Sequence, residues 1–408
     1  MSAARADHQR WKLALLFFLH GSALGMWGVS FSAVLRSHGM ESLVPYAFAT
    51  SSVAALLAPL GIGALADQRF PAERILRWLG LGAMIFLGLL CLAIQQRWSG
   101  WLVLLLAQIH ALWSTPTFGL TTSLVMSRLT DAKQQFGLLR LWATLGWMAS
   151  GVLISWVLRA DSSPLSGWAG CVCWALTLLF TYALSPLPPS ELKTHRSWKE
   201  VLGLDALHLL RHHDHGIVFL TSCLLSIPLA AFYPFTVMHL MDSGVQHPIA
   251  AMSLGQITEV IAMLWLSSLL TRFRLKWVFL SGIAFGVLRY GLFMFDSKPA
   301  LYVGIFLHGL CYTLYFITAQ IYLEQRIPAI MRTRAQSLLT LMTSGIGTLA
   351  GALVSGWWWS HSKMGIESAV NWPLFWGGLT GVTALVFVFF ALAYRGRSGP
   401  SSAEESKL

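Results

Sequence analysis

Residues 249–270 read IAAMSLGQITEVIAMLWLSSLL, twenty-two residues without a Lys or an Arg. A helix of about 20 apolar residues crosses a bilayer, so this stretch is expected to span one. Near its middle stands a single acid, Glu259, with Gln256 one turn before it. Positions three apart share a helix face, so the two side chains point the same way. A carboxylate at that depth costs at least ~2.5 kcal/mol and normally faces a polar cavity or a partner. Gln256 and Glu259 are therefore expected to form the polar wall of a pathway. The competing expectation is an acid paired with a base solely to hold helices together.

The rest of the chain agrees with a membrane setting. Of 408 residues, 56% are hydrophobic and 11% charged, against about 25% charged in soluble domains. The lipid bilayer is thus an expected partner. The net charge of +11 does not point to nucleic acid, because the basic residues lie in short loops between apolar runs. Cys91, Cys171, Cys173, Cys223 and Cys311 all fall inside apolar runs and are expected as thiols, with no metal-site spacing. The first apolar run is too long for a signal peptide and lacks a clear cleavage site, so it counts as a helix.

Charges and turn residues bound twelve such runs, at about 13–35, 44–66, 78–95, 101–126, 137–158 and 166–186, then 217–241, 248–271, 277–295, 300–323, 335–358 and 372–394. These are helices one to twelve. The expected protein is an all-α membrane protein with twelve transmembrane helices in two six-helix halves. The N-terminal bundle covers 1–186, a cytoplasmic linker 187–215 and the C-terminal bundle 216–394, with a disordered tail at 395–408. Placing the N-terminus in the cytoplasm puts 21 Lys and Arg inside and 5 outside, leaving Arg140 and Arg289 within spans. By the positive-inside rule both termini are then cytoplasmic.

Six helices, a cytoplasmic segment and six more resemble the layout of major facilitator transporters, whose halves repeat about an axis along the membrane normal. Gly151-Val152-Leu153-Ile154-Ser155 in helix five is echoed by Gly351-Ala352-Leu353-Val354-Ser355 in helix eleven. The Gly61-to-Arg69 stretch, with Asp67, resembles the facilitator loop signature of Gly, then Asp, then basic residues.

Several residues could carry chemistry. Arg140, Thr144 and Trp147 form one stripe of helix five. A guanidinium suits hydroxyl or carbonyl oxygens of a ligand, and an indole offers a flat surface to a ring. The alternative is an arginine that snorkels and a tryptophan that packs. Arg289 in helix nine is expected to find a structural partner or to snorkel outward. His212-His213-Asp214-His215 is expected to be a solvated helix start, with metal binding a minor alternative. Gly347 and Gly351 form a G-x-x-x-G suited to close helix packing. Trp357-Trp358-Trp359 suits an interfacial aromatic belt.

Taken in order, six stretches resemble the bacterial nucleoside:proton symporters of the major facilitator superfamily. They are Pro116 to Leu120, Arg140 to Gly146, Leu202 to Leu207, Gln256 to Glu259, Leu288-Arg289-Tyr290, and Pro328 to Arg332 with Ala335-Gln336. The resemblance covers about residues 15–390. It implies a central substrate site between the halves, with Arg140, Thr144 and Trp147 on helix five, Gln256 and Glu259 on helix eight, and His308 and Tyr312 on helix ten. This chain departs from the family in two places. It has Ala230 and Tyr233 where the family carries amides on helix seven, and Thr313 where members carry an acid on helix ten. The second departure shifts proton coupling onto Glu259.

The expectation is a monomeric inner-membrane transporter. It would move nucleosides or nucleoside-like solutes by alternating access, with the proton as coupling ion and no cofactor or metal. A sugar or polyol symporter is the nearer alternative, and a non-transporting receptor on the same fold the farther one. An enzyme is not expected, because the polar segments hold no clustered catalytic group or phosphate loop.

Overall fold

In lipid, every backbone N–H and C=O must be satisfied within the chain, which turns long apolar runs into helices. The computed structural model describes residues 3–66, 71–129, 132–184, 198–364 and 369–396, with only the helical course given for 3–9, 58–66, 132–134, 198, 201 and 329–330. The Asp67-to-Arg69 part of the Gly61-to-Arg69 signature and the tail beyond 396 lie outside the described residues.

Helix one runs Ala3–Gly28 and, after a break, Phe31–Ser37. Helices two, three and four are Val44–Ala66, Ala72–Gln95 and Gly100–Met126. Helix five is Ala132–Val152, continued by a π-helical segment Leu153–Leu158, and helix six is Leu165–Phe180. Helix seven comprises His213–Ala230 and Phe232–Asp242. Helix eight comprises Pro248–Met252 and Leu254–Arg272, and helix nine is Leu275–Phe293. Helix ten passes through a π segment, Tyr312–Ile317, between Lys298–Cys311 and Thr318–Arg326. Helix eleven does likewise at Leu341–Gly347, between Ala329–Thr340 and Thr348–His361. Helix twelve is Trp372–Ala393. A two-residue ladder, Lys363–Met364 against Ala369–Val370, precedes it.

Eleven of these helices are long and apolar enough to cross a membrane, and Val44–Ala66, with 23 residues, is the twelfth. Large apolar side chains stand open on the outside, Trp101 at 84% and Leu392 at 80% exposure. Such a surface suits lipid rather than water.

Packing sorts the chain into two compact units: Met1–His195 with Tyr233–Ser253, and Arg196–Phe232 with Leu254–Leu408. The second part of helix seven and the start of helix eight therefore pack with the first six helices. Polar contacts within the first unit fasten them there. Arg36 at the end of helix one pairs with Asp242 at 2.5 Å and donates to the Met238 carbonyl at 3.1 Å. Ser155 donates to Asp161 at 2.6 Å, and these two oxygens accept the Ala250 and Ile249 N–H groups, at 2.9 and 3.0 Å. They satisfy N–H groups that a helix start leaves open.

Helices one and five touch backbone to backbone. A Cβ on Gly146 would stand 2.1 Å from the Phe18 carbonyl oxygen, and one on Gly21 2.1 Å from that of Ala143. Ser150 and Ser22 add hydrogen bonds across the seam, from Ser150 Oγ to the Ser22 carbonyl and from Ser22 Oγ to the Gly146 carbonyl. In the second unit the G-x-x-x-G of helix eleven plays the same part against helix seven. Gly347 and Gly351 face the carbonyls of Cys223 and Ile227. The sequence echo does not mark equivalent contacts, since Gly151 faces Ser253 on helix eight while Gly351 faces helix seven.

The segment before helix seven docks on the second unit. Glu200 pairs with Arg334 at 2.9 Å, and Gly203, at φ +71°, fits against the Arg334 carbonyl. Helix seven begins at His213, earlier than its hydropathy suggests. The histidine run is solvated only in its first half: His212 and His213 are exposed, but Asp214 and His215 are buried. The Asp214 carboxylate accepts the Arg395 N–H at 3.0 Å, and His215 bonds the Tyr322 hydroxyl at 2.6 Å.

Candidate functional site

The first unit encloses a cavity of about 280 Å³, close to the lower end of the ~300–1,000 Å³ common for ligand sites. Its walls come from helices one, two, three, four and five and from Tyr233 of helix seven. Trp27, Phe31, Phe48, Trp147 and Tyr233 supply aromatic faces. Trp147 meets Tyr233 edge-on, with centroids 5.9 Å apart, and Trp27 lies 4.6 Å from Phe31. Gly28 allows Trp147 this position, since a Cβ there would come within 3.1 Å of the indole. The polar lining is Thr50, Ser51, His110, Ser114 and Thr115, and no lining side chain is an acid, a lysine or an arginine. The arrangement can hold a flat, uncharged ring, stacked on aromatics and hydrogen-bonded at its edge.

Of the helix-five stripe, Trp147 lines this cavity, whereas Arg140 and Thr144 lie earlier on the helix. Thr144 is buried and Arg140 half-buried. The Arg140 guanidinium sits over the Phe118 ring, 4.6 Å from its centroid, a cation–π contact. Phe118 also neighbours buried His20, whose Nε2 is 2.8 Å from the Thr117 hydroxyl.

The second unit holds the other expected residues. On helix eight, Gln256 is buried and Glu259 half-buried. The Gly255–Thr258 edge packs on helix ten, where the Thr258 hydroxyl donates to the Phe306 carbonyl. A Cβ on Gly309 would come 2.1 Å from the Glu259 backbone nitrogen, so glycine is required for this approach. His308 is 3% exposed, stacked on Phe232 at 3.9 Å and more loosely on half-buried Tyr312 at 6.2 Å. Thr313 is fully buried, and its hydroxyl has no hydrogen-bond partner among the described residues.

Arg289 does not snorkel. It is 1% exposed and donates to His308 Nδ1 and to the Tyr290 hydroxyl, which in turn donates to the Pro228 carbonyl at 2.6 Å. Its guanidinium also lies 4.7 Å from the Phe232 centroid. The structural-partner expectation describes it, and the partners are neutral. Among the described residues, no group of three His, Cys, Asp or Glu could hold a metal ion.

Sequence reasoning passed over His110, Ser114 and Thr115. They are polar side chains at i, i+4 and i+5 within an apolar helix, a signal that was available.

The family described as nucleoside H+ symporters matches residues 8–398. The chain belongs to it. A putative nucleoside transporter of Escherichia coli, YegT, is 32% identical over 406 residues, covering 94% of this chain and 93% of the relative. The Escherichia coli nucleoside permease NupG is 26% identical over 402 residues, covering 93% of each. A crystal structure of a point mutant of the nucleoside transporter NupG superposes with a TM-score of 0.87 at 23% identity, over 95% of this chain and all of that one. The protein is a multi-pass membrane transporter with the twelve-helix major facilitator fold.

Proposed function

We propose that this chain carries nucleosides across the inner membrane by alternating access, driven by protons, with both termini cytoplasmic, and acts as a monomer. The observation that carries this reading is an uncharged, aromatic-walled cavity in a chain matched from residue 8 to residue 398 by the nucleoside H+ symporter family. Neutral rings fit such walls, because stacking on an aromatic face contributes ~1–3 kcal/mol per base and needs no charge.

In this reading Trp147 stacks on the base, and Arg140 and Thr144 bind hydroxyls of the sugar. Gln256 and Glu259 belong to the ligand set, with Tyr312 as a second aromatic and His308 holding Tyr312 in place. The functional halves are residues 1–186 and 216–394, joined by 187–215. Glu259 is the proton carrier. Its carboxyl would take up a proton on one side of the membrane and give it up on the other. That transfer links proton movement to substrate movement. Thr313 cannot ionise in the range concerned, which leaves this duty to Glu259.

The test is uptake of labelled uridine and adenosine by proteoliposomes under an imposed pH gradient, with sugars as competitors. Glu259→Gln is expected to abolish proton-driven accumulation while leaving exchange down a substrate gradient. Full accumulation by that variant would remove Glu259 from the role. Competition by sugars as strong as by nucleosides would replace the substrate class.

A further inference from the structure

We propose that His110 is a specificity-determining residue of the first-unit cavity, reading a hydrogen-bond donor on the edge of the ligand's heteroaromatic ring. The proposal rests on the reading above that the ligand is a nucleoside. It goes further by fixing the polarity that one ring edge must present.

The argument starts from the tautomer. His110 Nδ1 lies 3.0 Å from the Ala83 carbonyl oxygen on helix three. A carbonyl can only accept, so the bond requires the proton on Nδ1. A neutral imidazole has one donor and one acceptor, and Nε2 therefore carries a lone pair. The ring reaches from helix three to the cavity that His110 lines. Nδ1 occupies the helix-three side, and Nε2 is the nitrogen left for the cavity, with no hydrogen-bond partner among the described residues.

The neighbours make this nitrogen decisive. The Thr50 hydroxyl donates to the Ala47 carbonyl at 2.6 Å. The hydroxyls of Ser51, Ser114 and Thr115 can rotate to donate or accept, so they tolerate either polarity. His110 cannot, because turning Nε2 into a donor would need a protonated, charged imidazole in an uncharged enclosure. A ring that presents N–H to Nε2 is bound. The same ring with that nitrogen methylated sets a methyl against this lone pair and leaves it without a donor.

The experiment uses the purified full chain in proteoliposomes and two matched competitor pairs: uridine against N3-methyluridine, and adenosine against N6,N6-dimethyladenosine. In the wild type, methylation within at least one pair is expected to weaken competition roughly 10- to 100-fold, the range for an acceptor that a bound ligand covers without offering a donor. In His110→Leu the gap should shrink to about threefold or less, through loss of affinity for the parent nucleoside. His110→Gln offers an accepting oxygen at similar reach and should retain part of the gap. Nucleoside monophosphates should compete poorly with wild type, as the lining has no cation for phosphate. A wild type that carries nucleosides but ignores methylation in both pairs overturns the role of His110, as does a gap that persists undiminished in His110→Leu. That wild-type comparison decides the matter even should the leucine variant fail to fold. A wild type that carries no nucleoside at all overturns the underlying reading, and the inference with it.

Discussion

The two packing units differ in what they do with polar groups inside the membrane. The first encloses an open cavity and lines it with neutral hydroxyls, one imidazole and five aromatic rings. The second buries a guanidinium, Arg289, among His308, Tyr290 and Phe232, where the partners fill its surroundings. Space for a ring exists where charge is absent, and charge sits where packing is dense. Each choice follows from desolvation. A buried ion needs hydrogen-bonding neighbours, which Arg289 finds at both terminal nitrogens though not at Nε, while a binding cavity leaves some groups waiting for the ligand.

The contrast breaks most readily at Arg289. Arg289→Leu removes the donor to His308 Nδ1 and to the Tyr290 hydroxyl, at about 1–3 kcal/mol for each orphaned group. The expected result is a clear drop in the thermal midpoint of the purified protein. An unchanged midpoint would mean the second unit does not depend on its buried cation.

Gly146→Ala comes next. Its methyl would meet the Phe18 carbonyl, and overpacking of this kind costs ~1–3 kcal/mol. Gly119→Ala is the control, since a Cβ there meets nothing within 4 Å, and its melting point should hold or rise. Equal destabilisation by the two would show that the helix one–five seam yields freely.

Trp147→Ala addresses the cavity itself. It should weaken nucleoside affinity by roughly 10- to 100-fold, as loss of a stacking surface does, measured by ligand-induced thermal shift. An unchanged shift would place the ring elsewhere.

The smallest effect belongs to Arg36→Ala. The Arg36–Asp242 pair is partly exposed, and pairs of that kind contribute about 0.2–1 kcal/mol. Thiol labelling of a Ser51→Cys variant should rise no more than about fivefold when Arg36→Ala is added, and high salt should mimic it. Labelling that ignores both changes would show that Arg36 does not fasten helix seven.

Most of the helical plan was legible because lipid enforces it. The run at 44–66 matches Val44–Ala66, and that at 101–126 matches Gly100–Met126 to within a residue. Ends failed where polar residues are buried by tertiary contact. Helix seven starts early because Asp214 and His215 have partners on distant segments, Arg395 and Tyr322, which hydropathy cannot register. The cavity was less legible for a related reason. Its wall draws on six helices scattered between Ala23 and Tyr233, three of which contribute one residue each. A lone histidine in an apolar run reads as core until its neighbour at Ala83 is known. The fate of Arg289 was open for the same cause, as His308 lies nineteen positions away on another helix.

Helices five, ten and eleven each contain a widened turn, at Leu153–Leu158, Tyr312–Ile317 and Leu341–Gly347. Such a turn holds one residue more than its neighbours. Tightening it to regular winding would swing every side chain beyond it by about 100° around the axis. These three rods thus carry a spare tooth apiece, and a reversible click of that tooth could re-aim a whole face without any hinge. Excising a single residue from Leu341–Gly347 would lock the click in one position.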